Sequence, residues 1–172
     1  MTELQDILDQ NGNTTGRTKK RNEPLKKGEY NLGAQVWIIN SKQEFLLTRR
    51  SKAKGHKWHS VGGMAVAGDN SITTALKEAK EEVGLELDPD KAYFFMRCSW
   101  PLNEGIHLCD VWIFRHDADI SEVILQEDEA CDAMWGDKEK IRQLKEDGVF
   151  VPADWYLYLE DLFNFCDETF GG

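Results

Sequence analysis

The sequence predicts an α/β (α+β) layer architecture, a mixed sheet with helices packed on it. Two observations carry that expectation. Runs rich in β-branched and aromatic residues, each of strand length, occupy 30–40, 44–50, 92–100 and 106–115. Three further segments, 71–83, 137–146 and 154–167, read as helices from their caps and apolar spacing.

The elements follow in chain order. Residues 3–20 hold Asp9-Gln10-Asn11-Gly12-Asn13, and Asn-Gly between two short extended segments predicts a hairpin. Tyr30 to Asn40 reads as a central strand, and Glu44 to Arg50 as its partner after the turn Asn40-Ser41-Lys42-Gln43. Ser71 to Val83 reads as a helix, with Asn70 or Asp69 as N-cap and Gly84 just past its end. Ala92 to Trp100 and Ile106 to Arg115 read as two strands joined around Pro101, Asn103 and Gly105, and Ala133-Met134-Trp135 as a short strand. Asp137 to Glu146 and Asp154 to Asp167 complete the helices; in the last, Trp155, Tyr158, Leu159, Leu162 and Phe163 form a core stripe. One domain over 1–172 is expected: hairpin and basic arm to 29, core over 30–150, C-terminal helix over 151–172.

Composition narrows the function. With 172 residues, 41% hydrophobic and 10% aromatic, the chain can bury a core and is not a disordered tail. No apolar run approaches the roughly 20 residues that span a bilayer. The N-terminus lacks a signal-peptide pattern, so a cytoplasmic protein with no membrane partner is expected. Cys98, Cys109, Cys131 and Cys166 form no C-x-x-C pair, which predicts buried reduced thiols rather than a zinc cluster or disulfide framework. The net charge of −10 argues against non-specific nucleic-acid binding. It is unevenly spread: residues 117–172 hold 16 acids and 4 bases, residues 1–116 hold 15 acids and 17 bases. The basic run Arg17, Lys19, Lys20, Arg21, Lys26 and Lys27 reads as solvated surface, with phosphate contact the alternative. The hairpin also offers an element for homodimer formation.

Chemistry concentrates in the stretch that begins at Trp58. A Gly62-Gly63 pair precedes a helix carrying Glu78, Glu81 and Glu82. At 100° per residue these carboxylates fall within roughly a 100° arc. Ile72, Ala75, Leu76, Ala79 and Val83 form the neighbouring apolar stripe, so the acids line the edge of the buried face. Like charges one turn apart repel, and the last helical turn disfavours anions. A hard divalent cation would compensate both penalties. On the carboxylates alone, the default remains a solvated face neutralised by Lys77 and Lys80.

The spacing points further. It resembles the box of the Nudix hydrolases, G-x5-E-x7-R-E-U-x-E-E-x-G-U, where U is a bulky aliphatic residue. Gly63, Glu78, Glu81, Glu82, Gly84 and Leu85 match. Asp69 stands where the family has Glu, Lys77 where it has Arg, and Ala79 where a bulkier residue is usual. The segments D-I-L-D-Q-N-G-N-T-T-G-R, V-W-I-I-N-S-K and V-I-L-Q-E-D-E-A-C-D-A-M-W are similar to the subgroup related to isopentenyl-diphosphate isomerase. The resemblance implies an α/β/α sandwich with a central mixed sheet and an N-terminal hairpin. It implies Mg²⁺ or Mn²⁺ as cofactor, held by Glu78, Glu82 and the Gly62 carbonyl, with Glu81 a ligand or the base for the attacking water. Gly63 would let the loop approach the helix. Lys77, in the arginine's place as a brace, joins Glu78 and Glu81 in the implied catalytic set, and Asp69 is an additional candidate near the metal.

Other residues are weighed more evenly. Arg49 and Arg50 point to opposite faces by the period of two; Arg50 is favoured as a phosphate clamp and Arg49 is its alternative. Glu127 and Glu129 lie where many family members carry an extra acid, although a plain acidic loop explains them equally well. His56, His59 and His107 are substrate-contact candidates, and Trp37, Trp100 and Trp112 base-stacking candidates, with core packing the default. Trp58 reads as a packing residue.

The resemblance implies a pyrophosphohydrolase acting on a small-molecule diphosphate: a nucleoside diphosphate linked to another group, or a nucleotide. An isomerase of isopentenyl diphosphate is the first alternative. Such isomerases need a cysteine at position 62 and a histidine at 64, where this chain has Gly62 and Met64. A non-catalytic nucleotide-binding module is the second.

Overall fold

A computed structural model of the chain describes residues 2–152 and 156–172. Its strands are β1 Leu4–Leu8, β2 Thr14–Lys20, β3 Tyr30–Ile39, β4 Phe45–Arg50, β5 Trp58–His59, β6 Val61–Met64, β7 Ala92–Leu102, β8 Gly105–Arg115 and β9 Ala130–Gly136. Its helices are α1 Ser71–Val83, α2 Lys138–Glu146 and α3 Leu159–Phe170. The strands form one mixed sheet. Among the described residues no helix is long and apolar enough to cross a membrane.

The N-terminal hairpin forms around its Asn-Gly turn. Asp9 accepts the amide protons of Asn11 at 2.8 Å and Asn13 at 3.0 Å, and Gly12 takes the positive φ the turn requires. Leu8 pairs with Tyr30, which joins the hairpin to β3.

The pairing of β3 differs from expectation. It lies parallel to β8 along its whole length, from Tyr30 opposite Ile106 to Ile39 opposite Arg115. Its other edge meets β6 over Gly33–Val36. The expected partner, β4, touches β3 only at Ile39–Phe45 and finds its ladder on β9 instead. The physical reason is that β6 takes the flank β4 would have used. It fits because glycines face that seam: a Cβ on Gly62 would stand 2.5 Å from the Ala34 carbonyl oxygen. Pairing with β4 also lengthens the expected short strand at 133–135 to Ala130–Gly136.

Alternation along β3 divides the core in two. Val36 and Ile38 join Leu46, Val61 and Phe114 beneath Ala75, Ala79 and Val83 of α1. Trp37 and Ile39 face the other way, packing with Phe45, Leu47 and Ile113 against Ile141 of α2 and Leu159, Leu162 and Phe163 of α3. The outcome is helix on both faces of a mixed sheet. Buried side chains of this size stabilise by about 1.5–3 kcal/mol each.

Helix ends follow their caps. Asn70, not Asp69, caps α1, accepting the Thr73 amide at 2.9 Å, and Gly84 ends it with φ 71°. Asp137 is the cap of α2 rather than its first residue. The expected start of the last helix at Asp154, and Trp155 of its stripe, lie outside the described residues. Helix α3 begins at Leu159, later than predicted, because Tyr158 stays in a turn with its phenol buried. That hydroxyl accepts the Trp37 indole N–H at 3.0 Å and donates to Gln35. All four cysteines are free, with Cys109 and Cys166 buried. Cys98 is half-buried, packed against the core beneath α2 and α3, and Cys131 is exposed, contrary to the expectation for all four.

Candidate active site

Helix α1 and strand β6 build the site together. The Ala75–Ala79–Val83 stripe seats α1 on the sheet, and the helical period then turns Glu78 and Glu82 toward β6. Register sets Gly63 opposite Ala34. A Cβ on Gly63 would collide with the Glu78 carboxylate, so glycine is what lets that carboxylate occupy its present position. Glu82 is buried, 6% exposed, and accepts the backbone N–H of Gly62. Glu81 is exposed one residue away.

The electrostatics are unfavourable as they stand. Burial, aided by the negative charges of Glu78 and Glu129, pushes the Glu82 carboxyl up to about 8. Burial and then Glu81 push Glu78 up to about 7. The solvated-face expectation fails because its lysines pair elsewhere. Lys77 bonds Asp69 at 2.5 Å and Lys80 bonds Glu86 at 2.7 Å. Two of the three departures from the box, Asp69 and Lys77, are thus each other's partners.

Two clefts meet along Gly62–Met64 and share Arg21, Glu82 and Glu129. The first, of about 410 Å³, is acidic: Asp69, Glu78 and Glu81 line it, and Lys77 stands at the same wall. The second, of about 320 Å³, has Arg50, Lys54 and His59 on one side and Trp100, Leu102 and His107 on the other. Burial, then the charges of Arg50 and Lys54, hold His59 down to about 3. Burial holds His107 down to about 4. Both rings are neutral near pH 7.

The remaining candidates separate by position. Arg50 lines the second cleft. Arg49 turns away, donating Nε to the His56 carbonyl at 3.1 Å and lying over the Trp58 ring. Glu129 lines both clefts and pairs with Lys54. Glu127 is exposed and lines neither. His56 contacts Cys131 away from the clefts. Trp37 is core, and Trp112 donates to Ser71 Oγ and packs on Phe94. Of these three tryptophans only Trp100 opens on a cleft.

Sequence reasoning placed Arg21 in a solvated run, with phosphate contact the alternative; the structure sets it at the lining of both clefts. Lys19 below it is buried and donates to the carbonyls of Lys20, Arg21 and Glu23 at 3.1, 3.4 and 2.7 Å, which fixes the loop carrying Arg21. The sequence carried no signal for this: Lys19 is the one buried residue of β2, and Thr15 and Arg17, two and four positions before it, are exposed. Lys54 and Tyr156, also lining the second cleft, carried no signal.

A divalent cation is the group this site implies. Among the described residues no three acidic, histidine or cysteine side chains form a ready-made metal cluster. The donor set still fits one. Glu78 and Glu82 are hard oxygen donors held back from ionising by burial, beside a glycine whose missing Cβ leaves the carboxylate its place.

Sandwich fold, glycine seam and carboxylate helix together define a class. The family model for the NUDIX domain matches residues 29–159, and the chain belongs to the Nudix hydrolases, whose general activity is pyrophosphohydrolysis. Among relatives, an uncharacterized Nudix hydrolase of Listeria monocytogenes is 34% identical over 170 residues, 95% of each chain. The isopentenyl-diphosphate Δ-isomerase of Escherichia coli is 27% identical over 76% of this chain and 75% of its own. A crystal structure from Deinococcus radiodurans shares the fold with a TM-score of 0.68 at 21% identity, covering 95% of this chain and 99% of that one.

Proposed function

We propose that this chain is a Mg²⁺- or Mn²⁺-dependent pyrophosphohydrolase that cleaves the diphosphate of a nucleotide, or of a nucleoside diphosphate linked to another group. One observation carries the reading: two carboxylates, Glu82 buried and Glu78 half-buried, sit against Gly62–Gly63 with their ionisation suppressed. That arrangement is costly without a cation and useful with one.

Glu78, Glu82 and the Gly62 carbonyl would hold the cation. When bound, it supplies charge neutralisation for the diphosphate and for the phosphate that departs. Glu81, exposed at the acidic cleft, takes the proton of the attacking water. The water oxygen bonds to phosphorus, the bridging P–O bond breaks, and the leaving phosphate keeps that oxygen. Arg50 and Lys54 orient the phosphates from the second cleft. Lys77 holds Asp69 at the edge of the acidic cleft. The isomerase alternative loses support from packing as well as chemistry. A side chain at position 62 would collide with the Ala34 carbonyl.

The test compares wild type with Glu82→Gln. Each is incubated with Mg²⁺ or Mn²⁺ and nucleoside-diphosphate compounds, nucleotides and isopentenyl diphosphate. Phosphomonoester release reduced on the order of 10²–10³-fold in the variant is expected. Equal inertness of both proteins, or metal-dependent binding without turnover, would overturn the proposal.

A further inference from the structure

We infer that the Trp100–His107 end of the second cleft is a nucleobase subsite: Trp100 stacks on the base and His107 Nε2 accepts an N–H from its edge. This rests on the pyrophosphohydrolase reading of the same site and assigns the part of the substrate that the carboxylates do not touch.

The wall is aromatic and built by register. Trp100 on β7 lies opposite His107 on β8, and the two rings are 4.8 Å apart, tilted by 56°. Trp100 is only partly buried, so one side of the indole remains open to the cleft it lines with Leu102. An open indole in a cleft suits a flat ring.

His107 adds direction. Its Nδ1 lies 2.8 Å from the Asn31 amide oxygen. That oxygen can only accept, so Nδ1 carries the proton. The ring is neutral at physiological pH because burial disfavours the charged form. Nε2 is therefore a bare acceptor, and among the described residues it has no hydrogen-bond partner. Gly33 keeps that edge of the imidazole clear, since a Cβ there would stand 2.9 Å from Nε2. An unused acceptor beside an open aromatic face calls for a ligand that is flat and carries an N–H. The four common nucleobases meet both conditions; an aliphatic chain meets neither.

The spacing also fits. From Trp100 across β8 and β3 to Gly62–Gly63 on β6 is three strand steps, roughly 14 Å at about 4.8 Å each, and three to four residues along β3, which together make roughly 17–19 Å of backbone separation for the side chains and ligand to span. With the base at Trp100, that reach carries a ribose and its phosphates to the carboxylates and to Arg50.

Equilibrium binding tests the subsite without turnover. AMP, GMP, CMP, UMP, ribose 5-phosphate and geranyl diphosphate are titrated into full-length protein, followed by tryptophan fluorescence and calorimetry. At least one nucleotide should bind about tenfold more tightly than ribose 5-phosphate. Trp100→Ala should erase that margin while leaving ribose 5-phosphate unchanged, and Trp100→Phe, which keeps a stacking face and guards against misfolding, should retain part of it. For a preferred AMP, purine riboside 5′-monophosphate, which lacks the exocyclic amine, should bind more weakly, and His107→Phe should close the gap. Two results would overturn the subsite: no nucleotide exceeding ribose 5-phosphate, or geranyl diphosphate outbinding every nucleotide through Trp100. Failure of hydrolysis with base binding intact would sink the enzyme reading alone.

Discussion

The two clefts flanking Gly62–Gly63 are buried by the same sheet, and burial acts on them in opposite directions. In the acidic cleft it pushes Glu78 and Glu82 up to about 7 and about 8. In the neighbouring cleft it holds His59 and His107 down to about 3 and about 4. Low dielectric disfavours the charged form of either group. For the acids this leaves a demand for external positive charge; for the histidines it leaves uncharged rings. One side thus favours positive charge brought in from outside, while the other sets uncharged imidazoles beside the cationic Arg50 and Lys54.

The sharpest way to break this contrast is Gly63→Ala. The added methyl would displace the Glu78 carboxylate while leaving Trp100 and His107 in place. Hydrolysis should fall on the order of a hundredfold or more, and nucleotide binding measured without metal should hold. Loss of both would show that the clefts are not separable.

A second effect concerns pH. The folded-state values of Glu78 and Glu82 lie above the ordinary 4.5, so folding favours their protonated forms. The stability they contribute is fully present below pH 4.5 and is lost as pH rises through about 7 and about 8. Metal-free protein should melt at a temperature lower by on the order of 5 °C at about pH 8.5 than at about pH 5.5. Mg²⁺ should raise Tm more at the higher pH, and Glu82→Gln should flatten the profile. A metal-free Tm that climbs steadily with pH would contradict the burial argument.

Smaller effects separate the arginines. Arg50→Ala should raise KM about tenfold by removing a phosphate contact. Arg49→Ala should leave KM alone and cost stability of about 0.5–1 kcal/mol, through loss of its cover over Trp58. The exchange of those outcomes would reverse their assignment. Least of all, Lys77→Ala should lower kcat only a few-fold. Its bond to Asp69 is half exposed, and such pairs contribute at most about 1 kcal/mol.

Much of this was legible in the residues. Helix α1 has its predicted bounds because Asn70 and Gly84 are local signals acting within one turn. The hairpin was legible for the same reason, from Asn11-Gly12. The carboxylate helix declared itself by spacing, since helical period fixes which side chains share a face. What the sequence concealed depends on partners far along the chain. Nothing in Phe45–Arg50 announces that β9 rather than β3 is its ladder. Arg50 rather than Arg49 lines the second cleft, and the β4–β9 register shifts between those two residues, which local alternation does not reveal. Arg21 lines both clefts from a loop tied down by the buried Lys19, a long-range fact the local sequence does not carry. The late start of α3 reflects Tyr158 bonding to Trp37 and Gln35 on another strand.

The parallel pairing of β3 with β8 has a consequence for how the chain comes into being. The strand at the centre of the sheet is made early, and the neighbour that covers its full edge, residues 106–115, is made only after the carboxylate helix. A chain growing from its N-terminus can close the hairpin and wind α1 while that edge still lacks its partner. Its backbone donors and acceptors stay unpaired until the later strand arrives, so the nascent molecule passes through an adhesive stage. The slow step of folding should be the docking of 105–115.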